Sequence, residues 1–579
     1  MGASENMQDN LGLREFMNRV QDRLKTYSLE SLTNILLDWA VKTPPAKREE
    51  FLNKLSPPIT EEIGWKSDTE FLEEIKAFGK RVEDGSYGEA QEEDDDFYDE
   101  EQADESWASE VDDFMQEAHD CMTEGKYDLA RDAYAMLFRI LESGEESLHL
   151  PGSYDPLGML KSDINEARSS YLLSIYFSSP ERELPANMLD GMQYFSRYVG
   201  EGLNIRSVVN AGLEPFPAYD EFLKSWIDLL SVKKEGWARY LLREAVVLSA
   251  GMSGIMNLAR RDGKNHPSAY IEWIRMLEKE EDFSGMEKAA MEGLENVPRD
   301  YVLRAKIGEY LAIAGEHLGN RVRQLYAFHE AFYSDPSLDH LLSLLRVTEG
   351  VNSYQNEISI SLSRVRSLIS QRANNDFRFL VDDRESKKSS AQGILLVETL
   401  LLGGRHKEAH DIVIDEKSLG WSYGPNPKGL VLTFFLKLLS KEGGGKPVPN
   451  IKLVWKDLID SIAGFPFQSK ERISLSERFS NAMEDVIRSV NLTGEERAEY
   501  TRWCIEETGK RVDAIVGEKH RNSYNKAAAL LVATAEMLEI QKDRKTGEDL
   551  VDEYRNKYHR HSAFQSELSN STFGHSWTR

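Results

Sequence analysis

The chain has 579 residues, 40% of them hydrophobic and 29% charged, which allows a large buried core and excludes a globally disordered chain or a collagen-like fibre. Its 71 Lys and Arg against 99 Asp and Glu residues give a net charge of −28, which counts against a general phosphate-binding surface. No apolar run reaches the roughly 18 residues of a membrane span. The N-terminus also lacks a signal-peptide core, so we expect a cytoplasmic protein.

Three short amphipathic helices are predicted before residue 83. In the first, apolar residues recur at i, i+3, i+4 and i+7 on one helical face, namely Leu32, Ile35, Leu36 and Trp39. Ser28 can cap its start, and Pro44 and Pro45 mark its end. A second helix follows through residues 51–55, and a third is predicted from Thr69 to Arg81 with an inward face of Phe71, Ile75 and Phe78. We therefore predict an N-terminal helical bundle over residues 1–82.

An acidic segment comes next. Residues 83–105 contain thirteen acidic and no basic residues, which is nearly half of the net charge of −28. Like charges at this density repel one another and oppose compaction, so we predict an acidic disordered linker over residues 83–106. The preferred interpretation is a spacer between domains. The alternative is that Phe97 and Tyr98, which interrupt the acids, dock into a basic groove of a partner.

After the linker, two apolar stripes at helical spacing flank Gly125. The first consists of Val111, Phe114, Met115, Ala118 and Met122, and the second of Ala130, Ala133, Tyr134, Leu137, Phe138 and Leu141. A turn this short makes the two helices antiparallel neighbours, and small residues let their axes approach closely. One hairpin cannot cover both of its apolar faces. Further hairpins must stack against it, as in a helical repeat array.

This hairpin resembles a tetratricopeptide repeat. The match is carried by small residues, a turn and large aromatic positions, at Ala118, Gly125, Tyr127, Ala130 and Tyr134. The segment around Gly403, Gly404 and Ala409 is similar to the turn and second helix of such a repeat. Pro267, Pro298 and Pro336 follow one another at intervals of 31 and 38 residues, on either side of the repeat length of about 34. The resemblance implies a right-handed superhelical stack of degenerate repeats.

Residues 267–345 also resemble the helical region that accompanies SWIM zinc fingers in bacterial and archaeal proteins. The shared features are Trp273 before an acidic turn, the small residues Gly308, Ala312 and Gly315, and the helix ending from Ala331 to Ser337, with a similar tail at Ala563, Phe564 and Leu568. A SWIM finger binds zinc through a CxC pair followed by CxH, and Cys121 and Cys504 cannot supply that pattern. The resemblance therefore implies a helical array and a prokaryotic setting, without a zinc site.

Three motifs resemble catalytic or ligand sites only superficially. His406 and His410 have the i, i+4 spacing of a metal pair, but no third ligand follows, so an exposed histidine pair is preferred. The glycine-rich stretch from Gly443 to Asn450 departs from a phosphate loop and is interpreted as a loop between hairpins. Ser253 lies between glycines, but the second glycine of a nucleophile elbow is missing, which favours a simple helix break.

Two basic patches could bind nucleic acid. Near the C-terminus, basic and aromatic residues alternate at Tyr554, Arg555, Lys557, Tyr558 and Arg560. The preferred interpretation is an amphipathic helix with Leu550, Tyr554 and Tyr558 turned inward. The turn from Arg260 to His266 is a second patch with the same two interpretations.

The sequence predicts an all-α protein with a bundle over 1–82, a linker over 83–106, a repeat array over 107–568 and a flexible tail over 569–579. We expect a non-catalytic scaffold or adaptor that holds another protein or a peptide on the surface of the array. No catalytic, cofactor-binding or metal-ligating residue is assigned, and no cofactor is expected. The alternative is a regulatory or enzyme-complex subunit with an unrecognised site, linked to nucleic acid through the basic patches.

Overall fold

The computed structural model describes residues 13–42, 48–55, 68–87, 106–147, 149–150, 156–348, 353–373, 387–420, 426–441, 448–463 and 473–573. Within these ranges every regular element is a helix, and the β-type pairing is limited to two isolated bridges, Val199 with Leu203 and Tyr301 with Lys388. The predicted all-α stack of helices is therefore confirmed. The handedness of the stack stays a prediction.

The chain forms two compact units, one ending at Ile255 and the other beginning at Met256. The boundary falls within the helical segment Gly236–Asp262, which is interrupted at Gly251 with φ 56° and ψ −144°. Only glycine adopts this backbone conformation without a large steric cost, so the helix can break there. The helix that crosses the unit boundary is thus interrupted at Gly251, and the predicted array over 107–568 includes residues of both units.

The described residues of the N-terminal unit form eleven α-helices, the last of which crosses the unit boundary. They are α1 (Leu13–Leu24), α2 (Leu29–Lys42), α3 (Arg48–Leu55), α4 (Asp68–Glu83), α5 (Ser106–Thr123), α6 (Tyr127–Ser147), α7 (Ile164–Ser178), α8 (Leu184–Tyr194), α9 (Ile205–Ala211), α10 (Tyr219–Ser231) and α11 (Gly236–Asp262). The hairpin predicted around Gly125 is formed by α5 and α6.

Helix α4 buries the face that its spacing predicts, with Phe71, Ile75 and Phe78 inward. The hairpin of α5 and α6 packs against this face. The ring of Phe78 lies 5.7 Å from that of Phe114 in α5. At Gly79, an added Cβ would come within 2.8 Å of Ile140 Cδ1 in α6, so the two backbones approach closely there. Helix α4 therefore belongs to the folded core of the N-terminal unit.

The other N-terminal helices are more exposed than the predicted bundle requires. Ser28 caps α2 as expected, since its Oγ accepts a hydrogen bond from the Ser31 amide at 3.2 Å. However, α1 and α2 bury no residue, and Leu36 and Trp39 are exposed. The bundle over 1–82 also includes residues 43–47 and 56–67, which lie outside the described part, so it stays a prediction.

The first residues of the predicted linker and of the predicted tail are folded in the structure. Tyr87, within the predicted linker, is buried and donates to Glu110 Oε1 at 2.8 Å. Residues 88–105, with Phe97 and Tyr98, lie outside the described ranges. In the predicted tail, helix α26 continues to Thr572 because Thr572 is buried and the Ser571 carbonyl accepts from Asn450 Nδ2 at 3.0 Å.

The C-terminal unit continues with fifteen α-helices within the ranges described. They are α12 (Pro267–Lys279), α13 (Phe283–Asn296), α14 (Arg304–His317), α15 (Arg321–Ser334), α16 (Leu338–Thr348), α17 (Tyr354–Ala373), α18 (Gly393–Leu402), α19 (His406–Val413), α20 (Pro427–Leu439), α21 (Pro449–Ala463), α22 (Leu475–Ser489), α23 (Gly494–Val512), α24 (Tyr524–Ile540), α25 (Arg544–Lys557) and α26 (Ser562–Thr572). A single apolar core extends from Phe332 to Leu568. Helices α18, α20 and α24 are apolar nearly all round, and accordingly they are enclosed by their neighbours.

In the described part of the chain the same turn recurs between helices, including the hairpins α5–α6, α12–α13, α14–α15, α18–α19 and α24–α25. In each, one residue has positive φ; these residues are Gly125, Glu281, Gly319, Gly404 and Lys542. The amide of this residue bonds the carbonyl three residues back, and the next amide bonds the carbonyl five before it. This is the Schellman arrangement, which satisfies the last carbonyls of a helix and stops it. The repeated turn is the structural basis of the array.

One helical segment, Gly236–Asp262, has the length and mean hydropathy, 1.2, to cross a membrane among the residues described. About a quarter of that apolar window, 28%, is buried in the folded chain. A core helix passes the same test of length and composition. The break at Gly251 and the packing role of Glu244, whose carboxylate accepts from two amides of α9, favour a core helix.

Candidate interaction groove

Three helices of the N-terminal unit enclose a groove of about 440 Å³. Each contributes one face at helical spacing: Arg131, Ala135, Phe138 and Arg139 from α6, Tyr171, Ile175 and Ser179 from α7 and the following turn, and Asn187, Asp190, Gly191 and Tyr194 from α8. Residues three and four apart share a helix face, so each set forms a stripe. The groove is therefore the space between three adjacent stripes.

Aromatic rings form the floor. The ring of Phe138 lies 6.1 Å from Tyr171 and 4.9 Å from Phe195, both in edge-to-face geometry. Helix α8 comes close to α7 because Gly191 has no side chain: a Cβ there would lie 2.7 Å from Leu172 Cδ2. Burial raises the pKa of Tyr171, so its phenol stays neutral across the physiological range.

The rim carries charges of both signs. Arg131 is already paired, with Asp128 at 3.0 Å and Asp132 at 2.9 Å. Arg139 and Asp190 are exposed and make no ion pair or side-chain hydrogen bond with another residue that the structure describes. The Tyr194 hydroxyl donates to Glu142 Oε2 at 2.6 Å, which fixes one edge of the groove.

The groove combines aromatic rings with arginine side chains. Tyrosine, phenylalanine and arginine are the residue types enriched where protein interfaces are most tightly packed. An aromatic floor can receive apolar side chains, while Arg139 and Asp190 remain available to polar groups at the edge. The groove therefore has the chemistry of a peptide or helix docking site.

The histidines are not the exposed pair that the sequence favoured, because His410 is buried and His406 is half-buried. His410 is 2% exposed. The ring of His410 lies 4.9 Å from Trp503 and 5.1 Å from Tyr500. Burial lowers the pKa of His410, so it is neutral at pH 7. Both histidine rings face inward because the aromatic residues of α20 and α23 cover that side of α19.

The other singled-out motifs are structural where the chain is described. Ser253 lies in α11 and donates to the Ala250 carbonyl at 2.8 Å, as a helical serine does. Residues 442–447 of the glycine-rich loop lie outside the described ranges. Cys121 is buried, which raises the pKa of its thiol to about 11, and burial raises the pKa of Cys504 as well. Thiols in this state are poor nucleophiles at neutral pH.

Three residues of the basic patches, Lys557, Arg555 and Arg260, form ion pairs with neighbouring acids. Lys557 lies 2.8 Å from Asp513, and Arg555 2.6 Å from Asp552. As predicted, Leu550 and Tyr554 are buried, and the half-buried Tyr558 donates to Asp513 Oδ1 at 2.8 Å. In the last turn of α11, Arg260 is paired with Glu292 at 2.9 Å. Charges engaged in this way contribute less to phosphate binding.

Of the groove residues the sequence singled out Phe138 alone, as part of an apolar stripe, and it assigned none of them to a site. The spacing of Arg131, Phe138 and Arg139 is helical, but the sequence does not say which helices lie beside α6. Among the described residues, no group of three or more His, Cys, Asp or Glu side chains is placed to hold a metal ion.

No protein-family model matches the chain, and no curated protein matches it. Among solved structures, the chain is similar to a circular tandem repeat protein described as having a novel repeat topology and enhanced subunit contact surfaces. The identity is 12%, and the match covers 87% of this chain and 95% of the other, with a TM-score of 0.16. At so low a TM-score the likeness carries no argument. The similarity to the SWIM-associated region finds no support in these comparisons.

Proposed function

We propose that this protein is a non-catalytic scaffold or adaptor that binds a segment of another protein in the groove of α6, α7 and α8. The hairpins that build the groove are interpreted as degenerate tetratricopeptide-like repeats in a cytoplasmic, prokaryotic protein. The observation that carries the proposal is the groove itself, in which an aromatic floor lies beside the exposed Arg139 and Asp190.

The proposal is supported by the way stacked hairpins present side chains. Each added helix contributes one stripe to a continuous surface, so an extended or helical peptide can contact several helices at once. Helices also hold the floor residues in place before binding, which lowers the entropy cost of association. The resemblance to SWIM-associated regions adds only that such arrays occur beside other functional modules.

The test is affinity purification of the tagged full-length chain from its native cells, with nuclease treatment and mass spectrometry. We expect a stoichiometric protein partner that survives nuclease. The groove variant reverses both rim charges, Arg139→Glu with Asp190→Arg, and should lose that partner. The matched control is Lys224→Glu, an exposed lysine on α10 that does not line the groove.

The outcomes separate the proposal from its alternatives. Loss of the partner from the groove variant but not from Lys224→Glu would support the assignment. A partner retained equally by both variants would remove the groove from the proposal. Recovery of nucleic acid alone, or of no stoichiometric protein under crosslinking, would overturn the scaffold function itself.

A further inference from the structure

The groove of α6, α7 and α8 has two ends with different hydrogen-bonding groups. Arg131 Nη1, near the start of α6, donates to Ser178 Oγ at the end of α7 at 3.0 Å. Phe138, further along α6, lies beside Tyr171 in the middle of α7. The two helices therefore run antiparallel, and Arg131 and Arg139 mark the two ends of the groove. They are eight residues apart, which is about 12 Å along a helix.

At the Arg131 end, Asn187 and Ser179 leave hydrogen-bonding capacity for a ligand. Asn187 Nδ2 donates to Ser179 Oγ at 3.0 Å, and neither side chain bonds another residue that the structure describes. An asparagine amide has two donor hydrogens and two acceptor lone pairs, and a serine hydroxyl both donates and accepts. One bond between them therefore leaves a donor and an acceptor, whichever way the amide is oriented. A peptide group offers the complementary acceptor and donor.

At the other end, Arg139 and the Tyr171 hydroxyl are both donors. Tyr171 is half-buried, and its hydroxyl makes no hydrogen bond with a residue that the structure describes. Burial raises the pKa of Tyr171, and the positive charges of Arg139 and Arg131 partly oppose that shift, so both guanidinium groups act on this phenol. The phenol keeps its proton at neutral pH and can donate a hydrogen bond beside Arg139. Two neighbouring donors, one of them charged, suit a carboxylate, which only accepts.

Neighbouring acids limit the negative charge that the groove can accept. Glu142 is already engaged, because its Oε2 accepts from the Tyr194 hydroxyl at 2.6 Å. Asp190 is the acid of the lining; it is exposed and forms no ion pair with a residue that the structure describes. Like charges repel one another. A run of acids would therefore meet Asp190 as well as Arg139, whereas a single carboxylate can pair with Arg139 alone.

As a refinement of the proposed docking function, on which it rests, we propose that the groove binds an extended segment with one acidic side chain. Arg139 and the Tyr171 hydroxyl hold the carboxylate, and Asn187 with Ser179 holds a peptide group at the other end. About four residues of extended chain, at roughly 3.3 Å each, cover the distance between the ends. Their apolar side chains lie on Phe138. A helical segment is less suited, because its peptide groups are bonded to one another within the helix.

The probe is a library of random dodecapeptides inserted within a phage coat protein and selected on the full-length chain. The inserted peptides have no free C-terminus, so any carboxylate they present comes from a side chain. We expect the selected peptides to share a single Asp or Glu beside apolar residues. One selected peptide is then synthesised with both termini blocked, and its affinity for the full-length chain is measured by calorimetric titration.

The acid is tested by changing both partners of the expected contact. Glutamine in place of the peptide's acid should weaken binding to the parent by about tenfold, the usual effect of losing a hydrogen bond to a charged group. Arg139→Gln should weaken the acidic peptide by a similar factor and abolish the difference between the acidic and the glutamine peptides. The matched control is Arg206→Gln, an exposed arginine of α9 outside the lining, which should bind both peptides as the parent does.

The extended conformation is tested by methylating the peptide's amides one at a time, which removes a single N–H donor. At one position, about four residues from the acid, methylation should weaken binding to the parent by about fivefold, as expected for one neutral hydrogen bond. Asn187→Ala should lose this sensitivity, while Arg139→Gln should keep it. Circular dichroism and the thermal midpoint establish that each variant is folded. Should Asn187→Ala fail to fold, Ser179→Ala takes its place.

Three results would overturn the refinement. They are selected peptides without an acid or no selection at all, an acidic peptide bound equally by the parent and Arg139→Gln, and a peptide insensitive to methylation at every amide. The docking function is judged separately, by the native partner. Loss of that partner from the double rim variant, Arg139→Glu with Asp190→Arg, together with any of these three results would leave the docking function standing and remove only the class of segment.

Discussion

Glu536 of α24 caps the first turn of α21 by accepting the backbone amide of Asn450 at 3.1 Å, although the two residues are 86 positions apart. Its other oxygen accepts from the Ile451 amide at 3.0 Å, and its first oxygen also accepts from Asn450 Nδ2 at 2.8 Å. The first amides of a helix have no partner within the helix. Here the buried carboxylate of Glu536, from another helix, is that partner. Its negative charge is also favourable at a helix N-terminus.

Removal of this cap should destabilise the C-terminal unit. We expect Glu536→Ala to cost about 2–4 kcal/mol, because three buried donors lose their acceptor and no water replaces it. The check is the urea unfolding midpoint, with the slope of the transition compared between variants. Glu553→Ala, at an exposed position of α25, is the control and should change little. Equal midpoints for the two variants would contradict the capping role.

The shared hairpin turn predicts opposite effects of glycine at different turns. Glu281 and Lys542 hold positive φ, of 57° and 67°, at positions where Gly125 holds 81°. A side chain in this region is strained. Glu281→Gly and Lys542→Gly should therefore stabilise by about 0.5–1 kcal/mol.

Gly125→Ala should destabilise by about 1 kcal/mol. No atom lies within 4 Å of the added Cβ, so the effect comes from the backbone alone. Thermal unfolding of the three variants measures these shifts. Stability of Gly125→Ala equal to the parent's would show that the backbone conformation is not what constrains the turn.

Glu398 should make stability fall as pH rises. This residue of α18 is 2% exposed, and burial raises its pKa from 4.5 to about 7. Between those two values the folded state keeps a proton that the unfolded state has lost, so the free energy of unfolding decreases as pH increases from 4.5 through 7. Above pH 7 that contribution is fully lost.

Glu398→Gln removes the titration. It should raise the free energy of unfolding at pH 8 by on the order of 3 kcal/mol relative to the parent and change it little at pH 4.5. Urea unfolding at the two pH values checks this, with the exposed Glu553→Gln as the control. A parallel pH dependence of the parent and Glu398→Gln would exclude Glu398 as the source.

Glu330 should make stability fall as pH decreases, which is the opposite of the effect of Glu398. Burial alone would raise the pKa of Glu330, but hydrogen bonds from His329, Arg299 and Arg304 outweigh burial and lower it from 4.5 to about 2. Arg304 Nη2 lies 2.7 Å from its carboxylate, and both side chains are buried. The stability contributed by the ionised form is present above pH 4.5 and is lost as pH falls towards 2.

Removing one partner of the Arg304–Glu330 pair should lower the free energy of unfolding more than replacing both partners. Glu330→Gln leaves the buried Arg304 without a counter-charge and should destabilise by about 3–5 kcal/mol at pH 7. The double variant Arg304→Met with Glu330→Met should be more stable than Glu330→Gln, because no buried charge remains. Urea unfolding of the single and double variants measures the difference. A double variant less stable than Glu330→Gln would contradict this account.

Much of the helical architecture was predictable because it depends on neighbours in sequence. The stripes around Gly125 predicted α5, the turn and α6, and Gly404 marked the turn between α18 and α19. Glu281 and Lys542 form the same turn without glycine, so those hairpins carry no comparable signal in the sequence. The positive φ there is imposed by the packing of the two helices.

The candidate sites were not predictable, because they join residues from separate helices. Tyr171 and Tyr194 lie beside Arg139 only after α7 and α8 have packed against α6. His410 illustrates the same limit, since its helical spacing was visible but the aromatic cover from α20 and α23 was not.

The amino-acid sequence by itself determined the helices, most of their inward faces and the hairpin turns, because apolar periodicity and glycine positions act over a few residues. The glycines around Ser253 also indicated the helix break that the structure places at Gly251. Tertiary structure alone decided the cover on α4 and the capping of Asn450 by Glu536. These features depend on contacts between distant segments, and the free energy that selects them comes from burying apolar surface while pairing every polar group that is buried with it.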